Sequence, residues 1–116
     1  VPLTCVRRTI AFDGRPAAYL VDFASTTVLP PEALDESFDG SVLDLLAQRS
    51  NIRVREALAE ITAVNAGASL AEHLGTDPGQ AVLLLSETLF TEDLTPVEFS
   101  RNYFLPGLFD FQILRR

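Results

Sequence analysis

AVLLLSETLFTEDLTPVEFSRNYF, residues 81–104, decides how the rest of the chain is read. An apolar run, Val82 to Leu85, passes into an alternating segment that reaches Phe90. A polar break from Thr91 to Thr95 follows, and a second alternating run covers Val97 to Phe104. Two such runs around a loop of about five residues predict a β-hairpin. The stretch has a twin near the start of the chain. With Pro16 set against Pro96 and one extra residue allowed in the second turn, Thr9 falls on Thr88, Asp13 on Asp93, Tyr19 on Phe99 and Phe23 on Tyr103. The identities are few, but their spacing predicts two related hairpins.

A length of 116 residues predicts one domain with a core of its own. Hydrophobic residues make up 47% of the chain, which excludes a disordered polymer, and no apolar run approaches the ~20 residues of a membrane span. The start VPLTCVRR has neither the basic lead nor the apolar core of a secretion signal, and a lone Cys5 allows no internal disulfide. These features lead us to expect a soluble, cytoplasmic protein. Sixteen acidic residues against nine basic ones give a net charge of −7, which opposes direct binding to nucleic-acid phosphates.

In chain order, residues 3–12 and 15–23 predict the first hairpin, turned at Asp13-Gly14. Leu29-Pro30-Pro31 ends its second strand, and Pro31 to Leu34 predicts one helical turn with proline at an early position. Asp39 or Ser41 can cap a helix over residues 42–49, whose Val42, Leu45 and Leu46 share a face. Residues 52–66 mix helix formers, Arg55 to Glu60, with the strand-favouring Ile61 to Val64. We read them as a long edge strand whose Arg and Glu residues discourage aggregation. A short helix over 69–73, capped by Ala68 or Ser69 and stopped by Gly75, then leads through Thr76 to Gly79 into the central hairpin. Residues 109–114 predict a final strand. No linker or low-complexity tract interrupts this order, so the fold class is α+β, an antiparallel sheet with short helices packed on one side.

Most reaction chemistries find no residues here. There is no glycine-rich phosphate loop, nucleophile elbow or paired-histidine motif, and His73 is the single histidine. We therefore expect no catalytic residue, no metal and no cofactor. Cys5, beside Leu3 and Val6, reads as a buried inert thiol. The carboxylates Asp35, Glu36, Asp39 and Asp44 read as a solvated face. The hairpins themselves hold the unusual polar residues. Arg8 and Glu87 occupy equivalent places in the two half-repeats, and Glu98, Ser100 and Asn102 share one face of their strand. That face is either the solvent side or the lining of a cleft. In a cleft Arg8 would hold an anion, and Glu98 would accept hydrogen bonds from hydroxyl or amine groups.

Taken together, Arg7-Arg8, Asp13-Gly14, Pro16, Leu74-Gly75, Gly79 and the run Pro96 to Tyr103 resemble the UTRA domain. UTRA is the ligand-sensing domain of GntR-type bacterial regulators of the HutC branch. The resemblance spans nearly the whole chain. It implies a fold similar to chorismate lyase with a pseudo-twofold repeat, and a function of effector binding and homodimerisation. DNA would be contacted only through a winged helix-turn-helix domain elsewhere in the protein.

The implied effector site comprises Arg8, Glu87, Glu98, Ser100 and Phe104. Arg8 matches the family's first effector-site arginine, and Glu98 matches the acidic residue that meets sugar hydroxyls in aminosugar-phosphate sensors. Three positions depart from that pattern. Ile10 stands where a second arginine is expected, Leu20 where an acid is expected, and Phe104 where a hydroxyl-bearing aromatic is expected. The losses point to a less charged or more apolar effector than a phosphosugar. Two alternatives share the fold: an enzyme acting on an aromatic carboxylate, and a dimerisation module without a ligand. The half-repeat adds one expectation. Residues 1–116 form the effector domain without the helix and glycine turn that would lead into the first hairpin, as residues 69–79 lead into the second.

Overall fold

Both turns of the twin hairpins need left-handed backbone, and they meet the need differently. At the first, Asp13 and Gly14 take φ of 51° and 76°, residue types that tolerate positive φ. At the second, Leu94 takes φ of 62°, where a branched side chain is strained. Thr91 N–H donating to the Thr95 carbonyl (3.0 Å) closes that loop.

The computed structural model describes residues 2–34, 42–47, 53–109 and 112–115. Its elements run β1 (Leu3–Phe12), β2 (Arg15–Ser25), a 3₁₀ turn (Pro31–Ala33), α1 (Val42–Ala47), β3 (Val54–Asn65), α2 (Ala68–Leu74), β4 (Ala81–Thr91) and β5 (Pro96–Phe104). The strands form one antiparallel sheet in the order β1-β2-β5-β4-β3. This is the α+β architecture expected from the sequence. β3 is a strand despite its helix formers, because eleven of its residues pair with β4 and a sheet edge accepts its charges.

The pairing register bears out the twin hairpins residue by residue. Thr9 pairs with Tyr19 and Thr88 with Phe99; Arg8 pairs with Leu20 and Glu87 with Ser100. Each hairpin carries its irregularity at the equivalent step, Ile10/Ala11 in one and Leu89/Phe90 in the other. Where the hairpins meet, Tyr19 pairs with Tyr103 and Phe23 with Phe99, on either side of the Val21–Arg101 pair. Because Tyr19 is the mate of Phe99 and Phe23 the mate of Tyr103, a local twofold axis through Val21 and Arg101 carries one pair into the other.

Strand alternation divides the sheet into two faces. One face carries Thr4, Val6, Asp22, Ala24, Glu98 and Leu89, and α1 lies on it, with Val42 and Leu46 buried against Val6, Ala24, Leu29 and Leu89. The other carries Tyr19, Tyr103 and Val82, and α2 lies there, burying Ala71 and Leu74. The helices thus cover opposite faces, not one side as expected, because the chain crosses the sheet edge at β3 between them. Each cluster removes several aliphatic side chains from water, worth about 1.5–3 kcal/mol apiece.

Other details differ from expectation. The residue capping α2 is Gly67, with no side-chain hydrogen bond, whereas Gly75 ends the helix at φ 62° as expected. Among the described residues no strand follows β5. Phe109 makes a single bridge to Pro106, and residues 112–115 have no regular structure, with Ile113 and Leu114 about four-fifths exposed. Gly107 takes a left-handed φ of 87° between the two bridging residues. Cys5 is exposed, because nothing described packs on its part of the sheet. The proposed helix caps Asp39 and Ser41, and the carboxylates at 35, 36 and 39, lie outside the described residues, as does the side chain of Asp44.

Candidate functional site: a buried acidic row across three strands

The α1-bearing face is apolar except for one row. Asp22 on β2 pairs with Ser100 on β5, which pairs with Glu87 on β4, so three polar residues lie side by side across the sheet. Glu98 stands one step along β5 on the same face, and Arg8 one step away on β1. Asp22, Glu98 and Ser100 are buried, with 7%, 5% and 3% of their surface exposed. Glu87 and Asn102 are half-buried and form the open side of the row. The even positions of β5 are therefore inward, and the solvent-side alternative for Glu98, Ser100 and Asn102 is excluded.

Arg8 reaches across to Asp22, with Nη2 3.5 Å from Oδ2, so this guanidinium faces a carboxylate of its own chain. Asp22 thus sets a negative charge beside the guanidinium that the sequence marks for an anion. Glu98 has the most perturbed environment. Burial, a hydrogen bond to Asp22, and repulsion from Asp22 and Glu87 push its carboxyl up to about 9, with Arg8 pulling weakly the other way. At neutral pH Glu98 is therefore protonated and donates to Asp22. Its Oε1 is buried with no hydrogen-bond partner among the described residues. The Asn102 amide donates to the Ser100 hydroxyl at 3.3 Å.

Of the expected site residues, the structure brings Arg8, Glu87, Glu98 and Ser100 together and leaves Phe104 apart. Phe104 shares their face but lies four residues beyond Ser100 along β5, about 13 Å at ~3.3 Å per residue. Its ring meets Phe109 edge-on at 5.1 Å and lines an apolar cavity of about 250 Å³ with Ala63, Leu83 and Leu105. Between the polar row and Phe104 the same face carries Leu20, Leu85 and Ile61. The site is acidic at one end and apolar at the other.

The opposite face has a larger hollow, about 610 Å³, lined by Arg7, Tyr19, Phe23, His73, Arg101 and Tyr103. His73 stacks on Tyr19 with ring centres 4.3 Å apart. Ser69, Leu70 and His73 of α2 form one wall of this hollow. It has size and two arginines, but no buried polar group, so the acidic row is the better candidate.

The family model of the UTRA domain matches residues 1–110 of the 116. The chain belongs to the UTRA domain family. The HTH-type transcriptional regulator Rv0792c of Mycobacterium tuberculosis is 28% identical over 97% of the chain. The chain spans 43% of that regulator's length. The effector domain of PhnF from Mycobacterium smegmatis shares the fold with a TM-score of 0.84 at 20% identity, over 98% of this chain and 70% of that one. The ligand-binding domain of a GntR-family regulator from Bordetella bronchiseptica does so with 0.83 at 18%, over 98% and 74%.

In this UTRA domain the residue that sequence reasoning missed is Asp22. It sits in Tyr19-Leu20-Val21-Asp22-Phe23-Ala24, a central-strand pattern with one acidic break, and that break was the available signal. A carboxylate on a strand paired on both sides is either on the solvent face or in need of a partner, and Arg8 is that partner.

Proposed function

We propose that this UTRA domain is the effector-binding and dimerisation domain of a cytoplasmic GntR-type regulator of the HutC branch. A small metabolite would bind at the acidic row and shift DNA binding by a separate winged helix-turn-helix domain. The observation that carries this reading is the row itself. A buried carboxyl with an unpartnered oxygen on the α1 face is costly to a fold that does not use it. The relatives are transcriptional regulators, which supports regulation rather than catalysis. A thermal-shift screen of metabolites tests the reading: a true effector at 100 times its dissociation constant adds about 2.7 kcal/mol of stability. The gain should shrink at least tenfold in affinity with Ser100→Val. Equal binding by that variant, or no stabilising metabolite, counts against it.

A homodimer belongs to the same proposal, since the sheet ends in the long strands β1 and β3. Light scattering should give twice the 12.7 kDa chain mass. A monomer at high concentration contradicts it.

We also infer that the natural protein carries a helix and turn ahead of β1. The support is the twofold repeat. Leu3 and Cys5 are the mates of Val82 and Leu84, yet Leu3 is 62% exposed and Cys5 exposed, while Val82, packed with α2, is 1% exposed and Leu84 5%. Phe99, mate of the α2-covered Tyr19, is 40% exposed. A helix over Leu3, Cys5, Phe23 and Phe99 would complete the symmetry. The encoding gene decides: an upstream segment without a helix pattern and glycine turn removes this inference.

A further inference from the structure

Resting on the effector reading above, we propose that the acidic row selects an organic cation, a primary ammonium or amidinium headgroup on an apolar body. The charges on the α1 face are the first reason. Asp22, Glu87 and Glu98 lie on this face, where Glu98 feels the charges of Asp22, Glu87 and Arg8, and Arg8 already faces Asp22 at 3.5 Å. An anionic ligand would have to displace that carboxylate and approach the Glu87 carboxylate as well. An ammonium group would be met by Glu87 at the half-buried rim, by the Ser100 hydroxyl, and by the Glu98 oxygen that lacks a partner.

A metal ion fits less well. Among the described residues no three His, Cys, Asp or Glu side chains converge as ligands. The rest of the face gives the body of the ligand its character, since Leu20, Leu85 and Ile61 lead from the row toward the apolar cavity at Phe104. Ile10 and Leu20, where charge is missing, become apolar lining. Protonated Glu98 gives up its proton to the solvent when a cation takes its place, so binding should release a proton and strengthen as pH rises toward 9. The charged groups facing Glu98 in this balance are Asp22, Glu87 and Arg8.

The test uses two matched probe sets on the chain: putrescine, 1,4-butanediol and succinate; benzylamine, benzyl alcohol and benzoate. Each is tested by thermal shift at about 10 mM, where a probe tenfold above its dissociation constant raises Tm by about 5 °C. We expect the amine of at least one set to stabilise and its alcohol and acid not to. Glu98→Gln should weaken the amine at least tenfold. Glu87→Gln, at the half-buried rim, should weaken it about threefold, which guards against a Glu98 variant that misfolds. Stabilisation by succinate or benzoate with none by the amines overturns the cation assignment while leaving an effector site in place. No response to any probe overturns it too. Amine binding unchanged in both glutamine variants places the cation elsewhere and also overturns it.

Discussion

The two hairpins share a backbone register down to the bulge and differ at nearly every inward position. Where β1 and β2 carry Arg8, Ala18, Leu20 and Asp22, β4 and β5 carry Glu87, Glu98, Ser100 and Asn102. A twofold axis in the backbone has thus become a polarised site, with one cation on the first hairpin and two of the three acids on the second. Coverage differs as well. The second hairpin starts under α2, and the first starts open. Pairing and turn chemistry set the frame; side chains at equivalent points are then free to specialise.

The largest effect is expected where coverage differs. Leu84→Ala should cost about 2–4 kcal/mol in denaturant unfolding, since Leu84 is 5% exposed. Its mate Cys5 is exposed, and Cys5→Ala should stay within about 0.5 kcal/mol. Equal costs would mean the two halves are equally covered in solution.

Next comes the acidic row. Glu98 is raised in the folded state from about 4.5 to about 9, so the folded protein holds a proton that the unfolded chain releases between those values. Stability should therefore fall as pH rises through that window. Glu98→Gln should flatten the fall, leaving the variant more stable than the parent at pH 8–9 and less favoured, relatively, near pH 4. Parallel pH profiles for parent and variant would show that Glu98 is an ordinary ionised carboxylate.

The turns give the smallest effects. Gly14 at φ 76° makes Gly14→Leu cost about 1 kcal/mol. Leu94 at φ 62° and 57% exposed gains nothing from its side chain, so Leu94→Asn should add about 0.5 kcal/mol. Thermal melts resolve both, and opposite signs at the two turns are the expected result.

Much of this frame was legible in the chain. Asp13-Gly14, the alternation of Val97 to Phe104 and the spacing of the half-repeat are local signals, and they led to the hairpins, the register and the shared face of Glu98 and Ser100, whose inward side the alternation alone left open. What failed depended on non-local coverage. Cys5 looked buried because its strand is apolar, but burial needs a layer above it. Residues 109–114 looked like a strand, but Phe109 makes only a bridge to Pro106 and residues 112–115 have no regular structure. Asp22 was overlooked because one acid in an apolar strand carries no sign of which neighbour answers it. Arg8 was matched to a site without sight of Asp22, the carboxylate it faces in the fold.

The most direct measurement is amide chemical-shift mapping of the chain with a stabilising metabolite or amine added. Binding at the acidic row predicts perturbations concentrated at Arg8, Asp22, Glu87, Glu98 and Ser100, on the face that carries α1. Perturbations confined to Arg7, Tyr19, His73 and Arg101, around the hollow on the other face, would contradict it.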